Sequence, residues 1–249
     1  MIMNDIILSV KNVFFKNEDY LVLDDISIDI EKDTFNCIIG KSGAGKSTLL
    51  KIMAGLLIPT SGSVIANNWD LTKLFDKDIT KIRKLYGFAF QDSALISNLS
   101  IKENLSLPLK NKFKYLTLKE IDNKIYYYLD RLNMRDSLGL RPAQLSYGEQ
   151  KLLSIVRSII ADPEVLFLDE PLTSIDATLM KKIVNIIIEY TNKENTTVIA
   201  VTHSKDLLLN ISSRVMLLED KKIKLDFKGF DWGSIDKNNL PEILQDILG

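Results

Sequence analysis

Gly40 to Thr48 reads GKSGAGKST, the spacing G-x-x-x-x-G-K-[ST], directly after the apolar run FNCII and at the head of a helical pattern. Glycines at this spacing let main-chain N–H groups turn inward around a polyphosphate, and the helix start adds the positive end of its dipole. The cradle so formed runs through Gly40, Lys41, Ser42, Gly43, Ala44 and Gly45, with Lys46 on the β- and γ-phosphates, Ser47 offering its hydroxyl to Mg²⁺ and Thr48 closing the stretch. A second stretch, VLFLDE at Val165–Glu170, is an apolar strand pattern that ends in two carboxylates. The carboxyl ends of parallel strands are where open α/β sheets bind ligands. There Asp169 would stand beside Mg²⁺ through its water shell, and Glu170 would orient or partly deprotonate an attacking water. The chemistry these two stretches point to is phosphoryl transfer to water.

The elements that must hold these residues follow from patterning. IILSV and ISIDI alternate apolar and polar residues, as half-buried antiparallel strands do, whereas FNCII predicts a strand covered on both faces. A helix starts at Lys46, with Gly55 placed to end it. IPTSGS is a turn, and SVIAN and GFAFQ read as further strands. Residues 92–160 read as mostly helical: Thr117 and Glu120 make a capping box ahead of IDNKIYYYLDRL, and another helix opens at Ser146. Beyond them come VLFLD, a helix from Asp176 with Leu179, Ile183, Ile186 and Ile187 on one side, TVIAVT, a helix after His203, RVMLL and KIKLDF. That alternation predicts an α/β fold with a mostly parallel sheet, an N-terminal antiparallel β element and an inserted α-helical subdomain, and the GKSGAGKST motif makes its core similar to a P-loop NTPase. The expected organisation is one domain over 1–249, with core segments 1–91 and 161–228, a helical subdomain 92–160 and a tail 229–249.

Composition narrows the partners. Lys and Arg number 32 against 33 Asp and Glu, for a formal net charge of -1, so the basic excess that nucleic-acid binding demands is missing. The single cysteine, Cys37, lies in FNCII and reads as a small core residue of a reducing compartment. The N-terminus shows neither a basic leader region nor a cleavage signature, and no apolar run approaches the roughly 18–20 residues of a membrane helix. A soluble cytoplasmic protein is expected, without nucleic acid and without direct membrane insertion.

A third stretch separates the families that share the first two. LSYGEQ, Leu145–Gln150, resembles the LSGGQ signature of ATP-binding cassette (ABC) proteins and is followed by a helix running into the carboxylate strand. Ser146 and Glu149 also make an ordinary capping box, and the two readings are compatible, because a serine-capped helix start with exposed N–H groups receives a γ-phosphate well. Tyr147 stands where the signature has its first glycine, so its side chain must point away from the phosphate. The resemblance implies that Ser146, Gly148 and Glu149 meet the ATP held by a second copy. It implies that Gln91, in FAFQD, reaches the metal and the water and reports to a membrane partner, and that Ser174 and Asp176, in LTSID, sit at the dimer contact. It further implies that His203, the only histidine in the chain, contacts the γ-phosphate and holds the geometry of Glu170 and the water. Adenine contact falls to Phe15 near the expected aromatic position, which is Asn17 here; a core role for Phe15 is the alternative.

FAFQDSALISNLSIKENLSLPL and RPAQLS look most like Mla-type ATPases, which serve lipid transporters carrying MCE-domain subunits. Lipoprotein-release, cell-division and macrolide-export ATPases share much of that pattern, and a soluble non-transport ABC ATPase is the more distant alternative. The resemblance implies ATP hydrolysis with Mg²⁺, head-to-tail dimers, and attachment to integral membrane permease subunits at the inner face of the cell membrane. Within it, Ser93–Leu109 forms part of a groove for a helix of the permease, with Leu95, Ile96 and Leu99 as contacts. The tail places Leu240, Ile243, Leu244, Ile247 and Leu248 on one helical face, either closing over its own core or docking on the second subunit.

Overall fold

The computed structural model describes residues 5–74, 76–194, 196–204, 207–208 and 212–228. The tail helix read from Leu240 to Leu248, and most of the helix read after His203, lie outside these residues. The chain divides into two compact units, residues 1–82 with 197–249, and residues 83–196.

The first unit opens with a long hairpin, β1 (Ile6–Asn17) and β2 (Tyr20–Glu31), joined by β4 (Ser61–Ala66) and β5 (Trp69–Asp70) into an antiparallel sheet ordered β2-β1-β4-β5. In β2 the alternation holds: Ile26, Ile28 and Ile30 are buried while Asp25, Ser27 and Asp29 face solvent. In β1 it does not. Ile7, Leu8, Ser9 and Val10 are all buried, so both faces of β1 are covered over this stretch. The one polar residue of that run is satisfied, the Ser9 hydroxyl donating to Asp29 Oδ1 at 2.5 Å.

The strand after β2 in the chain is β3 (Phe35–Ile39), buried throughout and paired in parallel with both β8 (Thr197–Val201) and β9 (Arg214–Glu219), while β10 (Lys222–Lys228) lies antiparallel on β9. Strands of a parallel sheet are covered on both faces, and all five residues of β3 are buried, which is why FNCII reads as a continuous apolar run. Cys37 sits at its centre with no exposed surface, and burial pushes its thiol up to about 12 against a smaller opposing pull from Ser212. The helix α1 (Lys46–Met53) follows β3, and the Gly55 N–H donates to the Ile52 carbonyl with Gly55 in the left-handed conformation, a helix stop of the kind expected there. A short helix, α2 (Asp76–Arg83), closes the N-terminal segment.

The second unit pairs β6 (Tyr86–Ala89) in parallel with β7 (Val165–Asp169) and adds α3 (Ile101–Lys112), α4 (Leu118–Leu132), α5 (Tyr147–Ile159) and α6 (Ala177–Glu194). No strand falls between residues 92 and 160, in keeping with the sequence reading. Three of these helices start on full capping boxes, Ser100 with Glu103, Thr117 with Glu120, and Ser146 with Glu149. The first, in SIKE, carries the same S-x-x-E signal as the two read from the sequence. Of these helices α5 is the most deeply set, with Leu152, Leu153, Ile155, Val156 and Ile159 at most 2% exposed.

Candidate functional site

In the first unit the phosphate cradle and the histidine leave adjacent strands at one level. Ile38 of β3 stands opposite Val201 of β8 in the parallel pairing, so Gly40 and His203 each lie two residues beyond a matched pair, at the carboxyl ends. The cradle is shaped by its own backbone. Gly45 caps α1 at φ 99° with no side-chain acceptor, and a side-chain carbon there would meet the Val22 and Leu23 side chains at 3.1 Å. Only glycine holds that turn without strain, and the uncapped helix start keeps its first amides for a ligand. Lys46 is buried, its Nζ donating to the carbonyls of Gly40 at 2.7 Å and Lys41 at 3.0 Å. An ammonium so held among carbonyl acceptors can exchange them for phosphate oxygens without moving far. Lys41, Ser42 and Gly43 are exposed, and Ala44, Ser47 and Thr48 are half-buried.

His203 is exposed at the tip of a turn stapled by its neighbours: Thr202 is buried, and its hydroxyl oxygen accepts from the Ser204 N–H at 3.0 Å. Phe15 is half-buried within β1, opposite Leu23 of β2, so it borders the strand against which Gly45 rests. Asn17 pairs with Tyr20 at the hairpin tip; Tyr20 is 65% exposed and carries the Lys221 ammonium 5.0 Å from its ring centroid.

The second unit repeats the arrangement. Ala89 of β6 stands opposite Leu168 of β7, so Gln91 and Glu170 lie two residues past a matched pair of parallel strands. Asp169 is buried at the last position of β7. Glu170 adopts φ 47°, a left-handed conformation uncommon for a residue with a side chain and frequent where function requires strain. Its carboxylate accepts from the Thr173 hydroxyl at 3.2 Å, and its main-chain carbonyl accepts from Lys151 Nζ at 2.6 Å. Burial pulls the Lys151 ammonium below the ordinary lysine value, while the charges of Glu170 and Asp169 push it back up. Ser174 is also left-handed, and Asp176 Oδ1 accepts from the N–H groups of Thr178 and Leu179 at 2.8 and 3.0 Å, starting α6.

At the head of α5 the capping box engages the amides of Ser146 and Glu149. The amides of Tyr147 and Gly148, which have no carbonyl within the helix, are left as donors for an anion beyond its start. The Glu149 carboxylate is held below the usual range by the Ser146 hydroxyl and amide. Tyr147 turns its side chain toward the loop after β6, its hydroxyl donating to the Gln91 carbonyl at 3.1 Å. That loop is pinned further on. Asn104, fully buried, accepts from the Ile96 N–H at 2.8 Å and donates to the carbonyls of Ile96, Leu99 and Ser100 at 3.1, 3.2 and 3.0 Å. Leu95 and Leu99 are half-buried and Ile96 is 41% exposed.

Sequence reasoning gave no role to Lys151 or Asn104 and none to the Tyr147 hydroxyl. The available signal was positional: a lysine and an asparagine fall on otherwise apolar helix faces, where an unpaired polar group is costly.

Among the described residues no three His, Cys, Asp or Glu side chains converge as a metal site. A cation bound by the Ser47 hydroxyl, the Gln91 side chain or the Asp169 carboxylate would draw most of its oxygens from phosphate and water, which suits Mg²⁺ with a nucleotide. No helix among the described residues is long and apolar enough to cross a membrane.

Residues 23–173 match the ABC transporter family. The chain is 30% identical over 221 residues to the intermembrane phospholipid transport system ATP-binding protein MlaF of Haemophilus influenzae, covering 89% of this chain and 83% of that one. It is 33% identical over 215 residues to the methionine import ATP-binding protein MetN of Photobacterium profundum, covering 86% of this chain and 62% of that longer relative. Among solved structures it is similar to the dimeric ATP-binding cassette MJ0796 in a post-hydrolysis state bound to ADP and phosphate, at TM-score 0.83 and 29% identity, over 90% of this chain and 99% of the other.

Proposed function

The chain belongs to the ABC transporter family and is an ATPase of that family using Mg²⁺, and on that premise we propose that two copies close head to tail on two ATP molecules and power a membrane permease that moves phospholipid. The reaction is ATP + H₂O → ADP + phosphate. When bound, Mg²⁺ would supply positive charge to offset that of the polyphosphate. Lys46 trades its carbonyl partners for phosphate oxygens, and the cradle from Gly40 to Thr48 wraps the remainder with main-chain N–H groups. Ser47, Gln91 and Asp169 are the residues that would hold the metal and its water. Glu170 accepts a proton from the attacking water, and His203 keeps the γ-phosphate and that water aligned. Ser146, Gly148 and Glu149 serve the ATP of the second copy, where the amides left open at the head of α5 receive charge developing on the γ-phosphate. Closure, rather than the chemical step, drives the permease. Phe15 contacts the adenine.

The phospholipid reading rests on one observation, the similarity to MlaF over 89% of this chain, and extends to partners of the MCE type. Methionine import is the rival, because relatives of that function are as similar. Purification of the intact complex from its native membrane, with identification of bound subunits and lipids, tests it. An MCE-domain subunit with phospholipid, and turnover that responds to phospholipid, is the expected result. A methionine-binding partner with methionine-dependent turnover, or subunits of a lipoprotein-release complex, would overturn it.

A further inference from the structure

Two side chains of the first turns of α5 end on the main chain of the two loops that carry Gln91 and Glu170. The Tyr147 hydroxyl donates to the Gln91 carbonyl at 3.1 Å, and Lys151 Nζ donates to the Glu170 carbonyl at 2.6 Å. The two are linked to one another, with the Lys151 ammonium 6.0 Å from the Tyr147 ring centroid, at the outer reach of a cation–π contact. They lie four residues apart on one helix face, which is the spacing that brings side chains together.

We infer that Tyr147 and Lys151 are positioning residues for hydrolysis, a brace that fixes the Q-loop glutamine and the water-orienting carboxylate to the helix start that serves the partner's ATP. The inference rests on the hydrolytic reading above. Lys151 is only 2% exposed, and its ammonium, near the charges of Glu170 and Asp169, donates to the carbonyl at the point where the chain turns left-handed. A charged donor shielded from water makes a strong bond, so the peptide after Glu170 has little freedom to rotate and the direction of the carboxylate is set. Tyr147 is 45% exposed, so its bond is the weaker of the two and adds alignment more than strength. A glycine at 147, as in the signature this stretch resembles, has no atom with which to reach Gln91. Through the brace, a shift of the α5 start on meeting the partner's nucleotide moves Gln91 and Glu170 of its own subunit, so the two ATP sites of a dimer are coupled.

The test compares the full-length wild type with Tyr147→Phe, Lys151→Met and Lys151→Arg, measuring kcat, KM and the Hill coefficient for ATP, binding of a fluorescent ATP analogue, and Tm. Tyr147→Phe should lower kcat about two- to fivefold with KM little changed, and its Hill coefficient for ATP should lie below that of the wild type. Lys151→Met should lower kcat by about ten- to a hundredfold while analogue binding persists, and Lys151→Arg should recover most of the loss. Wild-type kcat in both Tyr147→Phe and Lys151→Met overturns the brace, as does a loss that merely follows Tm and is not rescued by arginine. Should Lys151→Met fail to fold, Tyr147→Phe decides, since it removes one exposed hydroxyl. Absence of turnover by the wild type would instead overturn the hydrolytic reading and the brace with it.

Discussion

A side-chain carbon on Gly87 would stand 2.1 Å from the carbonyl oxygen of Ser158, so β6 and α5 meet at a point where only a glycine fits. Both partners are main chain near that point, and neither can yield by a rotamer change. Gly87→Ala should therefore push strand and helix apart and cost about 1–3 kcal/mol of stability. Urea denaturation reads the cost directly. Because β6 leads to Gln91 and α5 starts beside Ser146, turnover should fall as well. An unchanged unfolding midpoint would show that the two elements can separate freely.

Glu170→Gln keeps the shape of the side chain and removes its capacity to accept a proton. Turnover should fall by about 10²–10³ while ATP binding persists, and the closed dimer should accumulate with ATP. Phosphate release and size-exclusion chromatography in ATP check both parts. A variant that still turns over at wild-type speed would deny Glu170 its role.

The three capping carboxylates give the helical unit an acid sensitivity of known sign. Glu103, Glu120 and Glu149 are each held below the ordinary glutamate value of 4.5, Glu103 chiefly by the Ser100 amide, Glu120 by the Thr117 hydroxyl and Glu149 by the Ser146 hydroxyl. Between the lowered and ordinary values the unfolded chain binds more protons than the folded one, so stability is full above 4.5 and falls as pH drops through the lowered values. Replacing all three by Gln retains acceptors but removes the titration. The decline of Tm between neutral and acid pH should then be shallower than in the wild type; parallel declines would refute the assignment.

Asn104→Leu preserves bulk and strips the loop of its pin. Three carbonyls, those of Ile96, Leu99 and Ser100, lose a donor, at a cost of about 1–3 kcal/mol. Amide hydrogen exchange should rise first at Ile96, whose N–H loses its acceptor. Unaltered exchange together with an unaltered urea midpoint would show that the loop holds itself.

How much of this was legible depends on whether a residue's role is local. The cradle at Gly40–Thr48 needs only a strand, a glycine-rich turn and a helix start, all contiguous, so the sequence displays it whole. The capping box at Thr117 is likewise a matter of four consecutive residues. The parallel strands were legible because β3 and β7 have no wet face and spell continuous apolar runs. Ser9 shows the opposite case: it is buried and its hydroxyl finds Asp29, 20 residues on, whereas alternation alone places it in solvent. Lys151 is the same kind of case. Its place on an otherwise apolar helix face is visible in the sequence, but its acceptor on Glu170 belongs to a strand end that only the folded chain brings near.

The thiol sealed in β3 has a practical corollary. Cys37 is wholly enclosed, and with its ionisation pushed up to about 12 it stays unreactive in neutral buffer. Since it is the only sulfhydryl in the sequence, the folded protein offers an unmarked background for maleimide chemistry. A cysteine introduced at an exposed position outside the site, such as Tyr115, would be the one place a dye attaches, and motion of the helical unit through a nucleotide cycle could be followed by fluorescence without first deleting anything.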